Sequence, residues 1–417
     1  MVADPKGLSP ETIAVTLGHD PATAFGAVKA PAVMTTTFVY ASAQHAKDVH
    51  EAFFNHTGPA VGATDAYIYT RLGHPNLTMV ETRLAALDGA AASAIFSSGM
   101  AAISTTLLAF VRPGDSVVCS RPCYGGTDGY LTTMLPDFGV TTFGFGDGCD
   151  PASIRAAVDA ALAAGPLRII HIESPANPTA AIVDIALVVA IAGEAAARQG
   201  FRPIVVVDNT FLGPLLQSPL ALGADLCMTS LTKYCGGHSD LMAGGVSGSA
   251  DLVARLKALR TLSGNHLDPF SAWLLLRSFE TLALRTDRAC NSARAVAEFL
   301  AGHPKVSGVT YLGFIAGTAR AVFDRQCRGT GSTFSFHIKG GQAEAFRLLD
   351  ALRLLRLAVS LGGSETLICN PATTTHYQVP RDRREAGGIF DGTLRVSVGL
   401  EAPVDLVADL SQALDQV

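Results

Sequence analysis

The stretch Ser230-Leu231-Thr232-Lys233-Tyr234-Cys235-Gly236-Gly237-His238 decides the fold of this 417-residue chain. It places a lysine behind two hydroxyl side chains and ahead of a glycine pair, and it follows an apolar run that ends in Asp208. Such a lysine can form a Schiff base with an aldehyde cofactor, while Ser230 and Thr232 hold the cofactor's phosphate and Asp208 keeps its ring nitrogen protonated. The stretch therefore predicts pyridoxal 5'-phosphate (PLP) chemistry on amino acids. Taken alone, it could equally be a surface-loop lysine beside a buried acid.

Composition indicates a globular protein of two or three domains with a substantial core. Apolar residues make up 48% of the chain and charged residues 16%, and the formal net charge is -5. Because no basic tract or aromatic-interleaved basic face occurs, we expect no nucleic-acid partner. The eight cysteines show neither C-x-x-C pairs nor metal-type spacing, and the N-terminus has no apolar signal core. These features predict reduced thiols, a cytoplasmic location and no metal site.

One uncharged segment, Gly89–Val111, is long enough to span a bilayer. It is interrupted by Ser97-Ser98-Gly99 and is rich in Ala, Ser and Thr. We therefore expect a buried helix after a turn, and no membrane partner.

Apolar, mostly β-branched runs alternate with helical patterns between about residues 76 and 230. This alternation predicts an α/β fold with a mostly parallel sheet covered on both faces. Ser97, Glu173, Asp208 and Ser230 fall at the carboxyl ends of predicted strands, which is where ligands bind in such sheets.

The chain is predicted to divide into three parts. Residues 1–66 read as an irregular arm, and the arm assigned to 1–70 is expected to contact a neighbouring subunit. Residues 71–265 form the predicted PLP-binding domain. Residues 266–417 form a smaller C-terminal α/β domain, with strands expected at Thr333–Ile338, Ala358–Leu361 and Thr393–Val398.

Candidate phosphate ligands come from three places. Ser98-Gly99-Met100 lies where a turn opens a helix, so free backbone N–H groups and the helix dipole can face a dianion. Ser230 and Thr232 can add hydroxyl donors. Tyr69-Thr70-Arg71 puts a phenol and a guanidinium on one side of an extended segment, and arginine binds phosphate with two donors. A glycine at a strand-to-helix turn is common, however, and Arg71 could be a solvated surface charge.

Three further side chains can meet the ring and the substrate. Tyr124 follows a strand and can stack on a pyridine ring, or it is a packed core aromatic. Asp208 ends a dry strand and can pair with a pyridinium N–H, or it caps the turn at Thr210. Arg395 is a charge inside an apolar strand, so it needs an anionic partner, either a substrate α-carboxylate or a structural carboxylate.

Taken in chain order, these motifs resemble the Cys/Met-metabolism PLP enzymes, the family of cystathionine γ-synthase, cystathionine lyases, methionine γ-lyase and O-acylhomoserine sulfhydrylases. The motifs that carry the resemblance are Tyr69-x-Arg71, Ser98-Gly99-Met100, Tyr124-Gly125-Gly126-Thr127, Glu173-Ser174-Pro175-Ala176-Asn177-Pro178-Thr179, Asp208-Asn209-Thr210, Ser230-Leu231-Thr232-Lys233, Ser360-Leu361-Gly362-Gly363 and Arg395. The resemblance runs from about residue 10 to the C-terminus. It implies the type I PLP-dependent transferase fold, which is aspartate aminotransferase-like, and a homotetramer built from two tight dimers that share active sites.

The resemblance also implies roles for individual residues. The implied catalytic residues are Lys233, Tyr124 and Tyr69. The implied cofactor ligands are Tyr69, Arg71, Ser98, Gly99, Met100, Tyr124, Asp208, Ser230, Thr232 and Lys233, with Tyr69 and Arg71 reaching the neighbouring subunit's phosphate. The implied ligands of the substrate carboxylate are Asn177, Ser360 and Arg395.

Two positions and one segment bear on which branch of the family this chain resembles most. The resemblance implies a cysteine at position 126 in methionine γ-lyases, where this chain has Gly126. It implies a glutamate at position 359 in enzymes that handle cystathionine, where this chain has Val359. An apolar residue there disfavours a distal ammonium group. The segment Asn55–Ala66 also looks longer than usual and falls where the substrate entrance is expected.

The leading prediction is a PLP-dependent γ-elimination on a methionine- or homocysteine-like L-amino acid, giving a 2-oxo acid and ammonia. The alternative is a γ-replacement transferase that uses an O-acylhomoserine and a thiol. A nicotinamide-dependent oxidoreductase is disfavoured because the chain has no G-x-G-x-x-G after its first strand. A non-catalytic scaffold that kept the fold is the remaining alternative.

Overall fold

The computed structural model describes residues 7–55 and 66–417. The α-helices of these ranges are α1 (Pro10–Thr16), α2 (Ala43–Asn55), α3 (Pro75–Asp88), α4 (Gly99–Phe110), α5 (Gly125–Gly129), α6 (Leu135–Asp137), α7 (Pro151–Ala164), α8 (Ile185–Gln199), α9 (Gly213–Leu216), α10 (Ala250–Ser263), α11 (Pro269–Phe279), α12 (Leu282–Gly302), α13 (Gly317–Gln326), α14 (Gln342–Ala351), α15 (Arg381–Ala386) and α16 (Pro403–Leu414). The strands are β1 (Ala92–Phe96), β2 (Ser116–Ser120), β3 (Thr141–Phe145), β4 (Leu167–Glu173), β5 (Ile204–Asp208), β6 (Leu226–Thr229), β7 (Gly244–Gly248), β8 (Val306–Thr310), β9 (Thr333–Ile338), β10 (Arg356–Leu357), β11 (Leu367–Cys369) and β12 (Thr393–Ser397).

Helix boundaries follow local capping chemistry. The Asp150 side chain accepts hydrogen bonds from the first backbone N–H groups of α7, and Pro151 occupies a position where a missing N–H costs nothing. Asp184 caps α8 in the same way, and Gly200 ends that helix with left-handed backbone. The bounds of both helices are therefore set by residues next to them in the sequence.

The larger sheet has seven strands in the order β1-β7-β6-β5-β4-β2-β3. The run β6-β5-β4-β2-β3 is parallel, whereas β7 pairs antiparallel with both β6 and β1. The mostly parallel sheet predicted for the large domain is thus confirmed. The predicted domain boundaries at residues 70 and 265 remain predictions.

Both faces of this sheet are buried by helices. Along β5, Val206 packs into one apolar cluster with residues of α4 and α10, while Val205 and Val207 pack into another with residues of α7 and α8. Each fully buried valine side chain stabilises the fold by roughly 1.5–3 kcal/mol relative to its exposed state. This two-sided burial explains the continuous β-branched runs in the sequence.

A second sheet of five strands lies in the C-terminal part, in the order β10-β11-β12-β9-β8. Residues of α12, α14 and α16 pack on it in one apolar cluster. The long helix α12 starts near the lysine stretch and reaches this cluster with Val296 and Leu300. It therefore connects the two sheets.

Two sequence predictions about elements are wrong. Ala358–Leu361 is not a strand, because Ser360 has a φ of 90° and the following Gly362 a φ of 76°, which interrupt extended backbone. The arm is not wholly irregular, since α1 and α2 lie within it. Of the segment Asn55–Ala66, residues 56–65 lie outside the described residues.

The uncharged segment Gly89–Val111 contains the strand β1, a turn and the buried helix α4, and the buried helix after a turn is as expected. No helix within residues 7–55 and 66–417 combines the length and apolar character needed to cross a bilayer.

The buried carboxyl of Asp88 makes the stability of the folded chain depend on pH. Asp88, at the end of α3, accepts a hydrogen bond of 2.5 Å from the Ser247 hydroxyl, and burial raises its pKa from 3.8 to about 7. The folded state therefore keeps a proton that the unfolded chain loses near pH 4, so this contribution to stability is present at low pH and is lost as pH rises toward 7.

We expect D88N to remove this pH dependence. Between pH 5 and 8 the free energy of unfolding of D88N should rise relative to wild type by about 2.5 kcal/mol, because the wild-type carboxyl loses its stabilising effect over roughly two pH units, from pH 5 to its folded pKa of about 7. Urea unfolding at both pH values measures the difference, with D251N, an exposed aspartate of α10, as the control. An equal difference at the two pH values would contradict the burial argument.

Candidate active site

Lys233 lies in a tight turn after β6. Its backbone N–H donates to the Ser230 carbonyl at 3.1 Å, and its own carbonyl accepts from Gly237 N–H at 2.7 Å. Its ammonium donates to Ser360 Oγ at 2.7 Å. Burial, together with the charge of nearby Arg395, lowers the pKa of Lys233 from 10.5 to about 8. The amine is thus much closer to its reactive neutral form than an ordinary lysine.

Arg395, in the middle strand β12, is 2% exposed. Its Nη1 donates to Asn177 Oδ1 at 3.0 Å, its Nη2 donates to the Ser360 carbonyl at 2.6 Å, and its Nε is buried without a partner. Among the described residues no carboxylate pairs with it, so the structural salt bridge considered above is absent there. Ser360 therefore bonds Lys233 through its hydroxyl and Arg395 through its carbonyl, and a buried cation without an anion faces the lysine.

Asp208 and Glu173 end neighbouring parallel strands in direct register. Asp208 Oδ1 accepts from both the backbone N–H and the hydroxyl of Thr210, so the predicted turn cap exists. No donor of the described chain reaches Oδ2. Burial raises the pKa of both carboxyls, and the charge of Asp208 raises that of Glu173 further. A cation at Asp208 would relieve this buried negative charge.

Tyr124 lies on the same edge and is 39% exposed, so it is not a core aromatic. Its backbone N–H donates to Glu173 Oε2 at 2.7 Å, which fixes the turn that carries the ring. A Cβ at Gly126 would lie 2.6 Å from Tyr124 Cε1 and 3.0 Å from Met100 Sδ. The ring therefore occupies space that any other residue at 126 would need.

The N-terminus of α4 contacts the lysine stretch. Ser98 caps α4 by accepting from Ala101 N–H, and a Cβ at Gly99 would lie 2.8 Å from Ser230 Oγ. Thr232 Oγ1 donates to the Ala243 carbonyl at 3.1 Å and accepts from Ala243 N–H at 3.0 Å. The structure thus brings the free N–H groups at the start of α4 close to Ser230, as predicted for Ser98, Gly99 and Met100. The Thr232 hydroxyl, in contrast, is already hydrogen-bonded to the backbone of Ala243, the residue before β7.

Among the described residues, Tyr69 and Arg71 form no hydrogen bond with this cluster. Arg71 Nη1 donates to the Thr261 carbonyl at 2.8 Å, and its guanidinium lies 5.9 Å from the Tyr69 ring centroid. Thr261 lines a cavity of about 520 Å³ between α2, α3 and α10, and none of the predicted site residues lines this cavity. The roles predicted for Tyr69 and Arg71 remain predictions.

Sequence reasoning assigned no role to several residues that support the Tyr124 turn. Glu173 accepts from the backbone N–H of Tyr124 and, at 2.6 Å, from that of Asn177. Asp128 in α5 pairs with Arg121 and with Arg383 of α15. The position of Glu173 at a strand end was the one available signal, because Arg383, the partner that ties Asp128 to α15, lies 255 residues away in the sequence.

The chain matches the family described as Cys/Met metabolism PLP-dependent enzyme over residues 11–415. It belongs to this family. The L-methionine gamma-lyase of Pseudomonas deceptionensis is 39% identical over 411 residues, covering 98% of both chains. The cystathionine gamma-lyase of Mus musculus is 39% identical over 354 residues, covering 85% of this chain and 86% of the relative. A crystal structure of cystathionine gamma synthase from Xanthomonas oryzae pv. oryzae, in complex with aminoacrylate and cysteine, matches with a TM-score of 0.87 at 36% identity over 99% of both chains.

Family membership confirms the type I PLP-enzyme fold and the cofactor that the lysine stretch predicts. The residues present also fit PLP on their own geometry. The absence of a Cβ at Gly99 lets the Ser230 hydroxyl come close to the N-terminus of α4, and a hydroxyl beside free helix N–H groups suits a phosphate. Asp208 offers a carboxylate oxygen for a protonated ring nitrogen, and Lys233 offers an amine with a lowered pKa.

Proposed function

We propose that this enzyme catalyses γ-elimination on a methionine- or homocysteine-like L-amino acid, releasing a 2-oxo acid and ammonia. The observation that carries the proposal is Arg395, a buried guanidinium that has no carboxylate partner among residues 7–55 and 66–417 and that is bonded to the same serine as Lys233. An amino acid whose carboxylate meets Arg395 would present its Cα to the lysine. The 39% identity to an L-methionine gamma-lyase over nearly the whole chain supports this reaction class.

Each predicted residue has a physical task in this reaction. Bound PLP supplies an electron-withdrawing ring that stabilises negative charge at Cα. Arg395 and Asn177 bind the substrate carboxylate, and Ser360 orients both Arg395 and Lys233. Lys233, once neutral, takes the Cα proton as a general base. Asp208 keeps a proton on the ring nitrogen.

Departure of the γ-substituent needs the loss of a second proton, from Cβ, whose electron pair forms the new Cβ–Cγ double bond, and it needs a proton donor for the leaving group. The Tyr124 hydroxyl is the proposed donor, with Tyr69 assisting. Because a thiolate or alkoxide leaves more easily when protonated, a positioned phenol lowers the barrier to this step. The proposed phosphate ligands are Ser98, Gly99, Met100, Ser230 and Thr232.

We infer a cytoplasmic homotetramer in which Tyr69 and Arg71 reach the phosphate of a neighbouring subunit. Neither residue hydrogen-bonds the cluster of its own chain among the described residues, and Tyr69 is 43% exposed. The arm that precedes them exposes large apolar side chains, including Phe25 and Val39, which a second copy could cover. Cross-linking and mass measurement in solution test the assembly.

A γ-replacement transferase is the second candidate. The match to a cystathionine gamma synthase structure over 99% of both chains favours it, since elimination and replacement use the same residues until the γ-substituent has left. In that case a thiol or sulfide would enter where the substituent departed, with an O-acylhomoserine as substrate.

Val359 bears on the substrate. This residue is 53% exposed and precedes Ser360, so it lies at the edge of the site. An apolar side chain there gives no partner to a distal ammonium group, which disfavours cystathionine. Gly126 departs from the cysteine expected of methionine γ-lyases, and the Tyr124 ring fills its place.

A substrate panel tests the proposal. Methionine, homocysteine, cystathionine and O-acetylhomoserine are each supplied with and without a thiol, and both 2-oxobutanoate and the thioether formed by γ-replacement are measured. We expect 2-oxobutanoate from methionine or homocysteine without a thiol, and V359E should raise kcat/KM for cystathionine about tenfold or more through one new charged contact. Product formation that requires both O-acetylhomoserine and a thiol would contradict elimination and favour the transferase.

A further inference from the structure

The glycine pair that follows Lys233 lies against an arginine of another helix. Arg285, in the first turn of α12, donates from Nη1 to the Tyr234 carbonyl at 2.7 Å and from Nη2 to the Cys235 carbonyl at 3.4 Å. These are the two residues directly after the lysine. A Cβ at Gly237, whose φ is 68°, would lie 1.7 Å from Arg285 Nη1. The guanidinium thus occupies the space that this glycine leaves.

The same guanidinium holds two helix ends. Its Nη2 donates to the Ser278 carbonyl at the end of α11 at 2.8 Å, and its Nε donates to Thr281 Oγ1 at 3.0 Å. Among the residues described, no carboxylate forms an ion pair with Arg285. Its positive charge is therefore satisfied by main-chain carbonyls and a hydroxyl, as in a C-terminal cap of a helical turn.

The lysine turn needs such a cap. Gly236 N–H donates to the Leu231 carbonyl and Gly237 N–H to the Lys233 carbonyl, both at 2.7 Å, so these hydrogen bonds close the turn from within. The carbonyls of Tyr234 and Cys235 accept hydrogen bonds from outside the turn, and Arg285 is the side chain that donates them. On its other side the turn touches Gly362, where a Cβ would lie 2.7 Å from Tyr234 N.

We propose that Arg285 is a positioning residue that caps the turn carrying Lys233 and thereby aims its amine at the cofactor carbonyl. The inference rests on the proposed role of Lys233. Because α12 packs against the second sheet, the cap also connects the lysine turn to the C-terminal part of the chain, which supplies Ser360 and Arg395.

The test separates covalent capture of the cofactor from its non-covalent binding. R285M, R285K and the control R288M are made, since Arg288 lies one turn further along α12 and bonds only the carbonyls of Leu400 and Glu401. For each apoenzyme, stopped-flow absorbance gives the rate of covalent reaction with PLP. Fluorescence titration gives the Kd for pyridoxamine phosphate, which has no aldehyde and needs no lysine.

We expect R285M to slow covalent capture about tenfold or more and R285K about threefold, while R288M stays within about twofold of wild type. The Kd for pyridoxamine phosphate should be unchanged in all three. Capture at the wild-type rate by R285M would overturn the inference, and so would a parallel loss of pyridoxamine phosphate binding, which indicates general disruption. If R285M does not fold, R285K decides by the same two measurements.

Failure of the wider proposal gives a different result. If wild-type protein captures PLP at a lysine other than Lys233, the proposed function is wrong whatever the Arg285 variants do. If Lys233 carries the cofactor and R285M behaves as wild type, only the capping role is wrong.

Discussion

K233A is expected to lower kcat for 2-oxo acid formation by roughly 10³-fold or more, since it removes both the covalent attachment point and the general base. The mutation leaves the fold intact, because the Lys233 side chain makes one described hydrogen bond, to Ser360. Steady-state assays with the preferred substrate measure the loss. K339A, an exposed lysine of the second domain, is the matched control and should keep wild-type kcat.

The pH dependence of wild-type protein gives an independent readout of the same lysine. With a pKa of about 8, Lys233 is roughly one-tenth neutral at pH 7, whereas an ordinary lysine is neutral in fewer than about one molecule in 10³. Covalent capture of PLP by apoenzyme should therefore rise about tenfold per pH unit below pH 8 and level off above it. A rate that still climbs at pH 10 would contradict the lowered pKa, as would K233A protein with near wild-type turnover.

D208N is expected to lower kcat/KM by about 10²-fold, the second largest effect. The amide has nearly the shape of the carboxylate but no charge, so it cannot hold a proton on the cofactor's ring nitrogen. The lost charged hydrogen bond is worth roughly 1.5–3 kcal/mol, which is about ten- to a hundredfold, and weaker electron withdrawal adds to the loss.

The control for D208N is D225N. Asp225 directly precedes the amino end of β6, whereas Lys233 follows its carboxyl end, and Asp225 pairs with Arg202 at 2.5 Å. We expect D225N to reduce stability slightly and to leave kcat/KM within about twofold, as is usual for partly exposed ion pairs. Equal kcat/KM for D208N and wild type would exclude a role for Asp208 at the ring.

The large sheet could be predicted because its signal is local. Runs such as Ile204–Val207 are β-branched and buried on both faces, and caps such as Asp150 mark the intervening helices. The predicted strand Ala358–Leu361 failed for an equally local reason, because Ser360 takes a left-handed φ that its apolar neighbours do not reveal. The structure shows that this conformation lets one residue bond both Lys233 and Arg395.

The site was predictable where a residue type is out of place in its surroundings. Arg395 stands out as a charge in an apolar strand, and the structure brings it to Asn177 and Ser360. Arg285 does not stand out, because the groups that it bonds in the lysine turn are main-chain carbonyls about fifty residues earlier in the chain. No pattern of side chains encodes such a contact, so only the folded arrangement reveals it.

The most direct test of the account is to reduce the holoenzyme with borohydride, digest it and locate the modified lysine by mass spectrometry. The account predicts a phosphopyridoxyl group on the peptide that contains Lys233, and its absence when K233A is treated in the same way. A group found on another lysine, or protein that takes up no PLP, would contradict it.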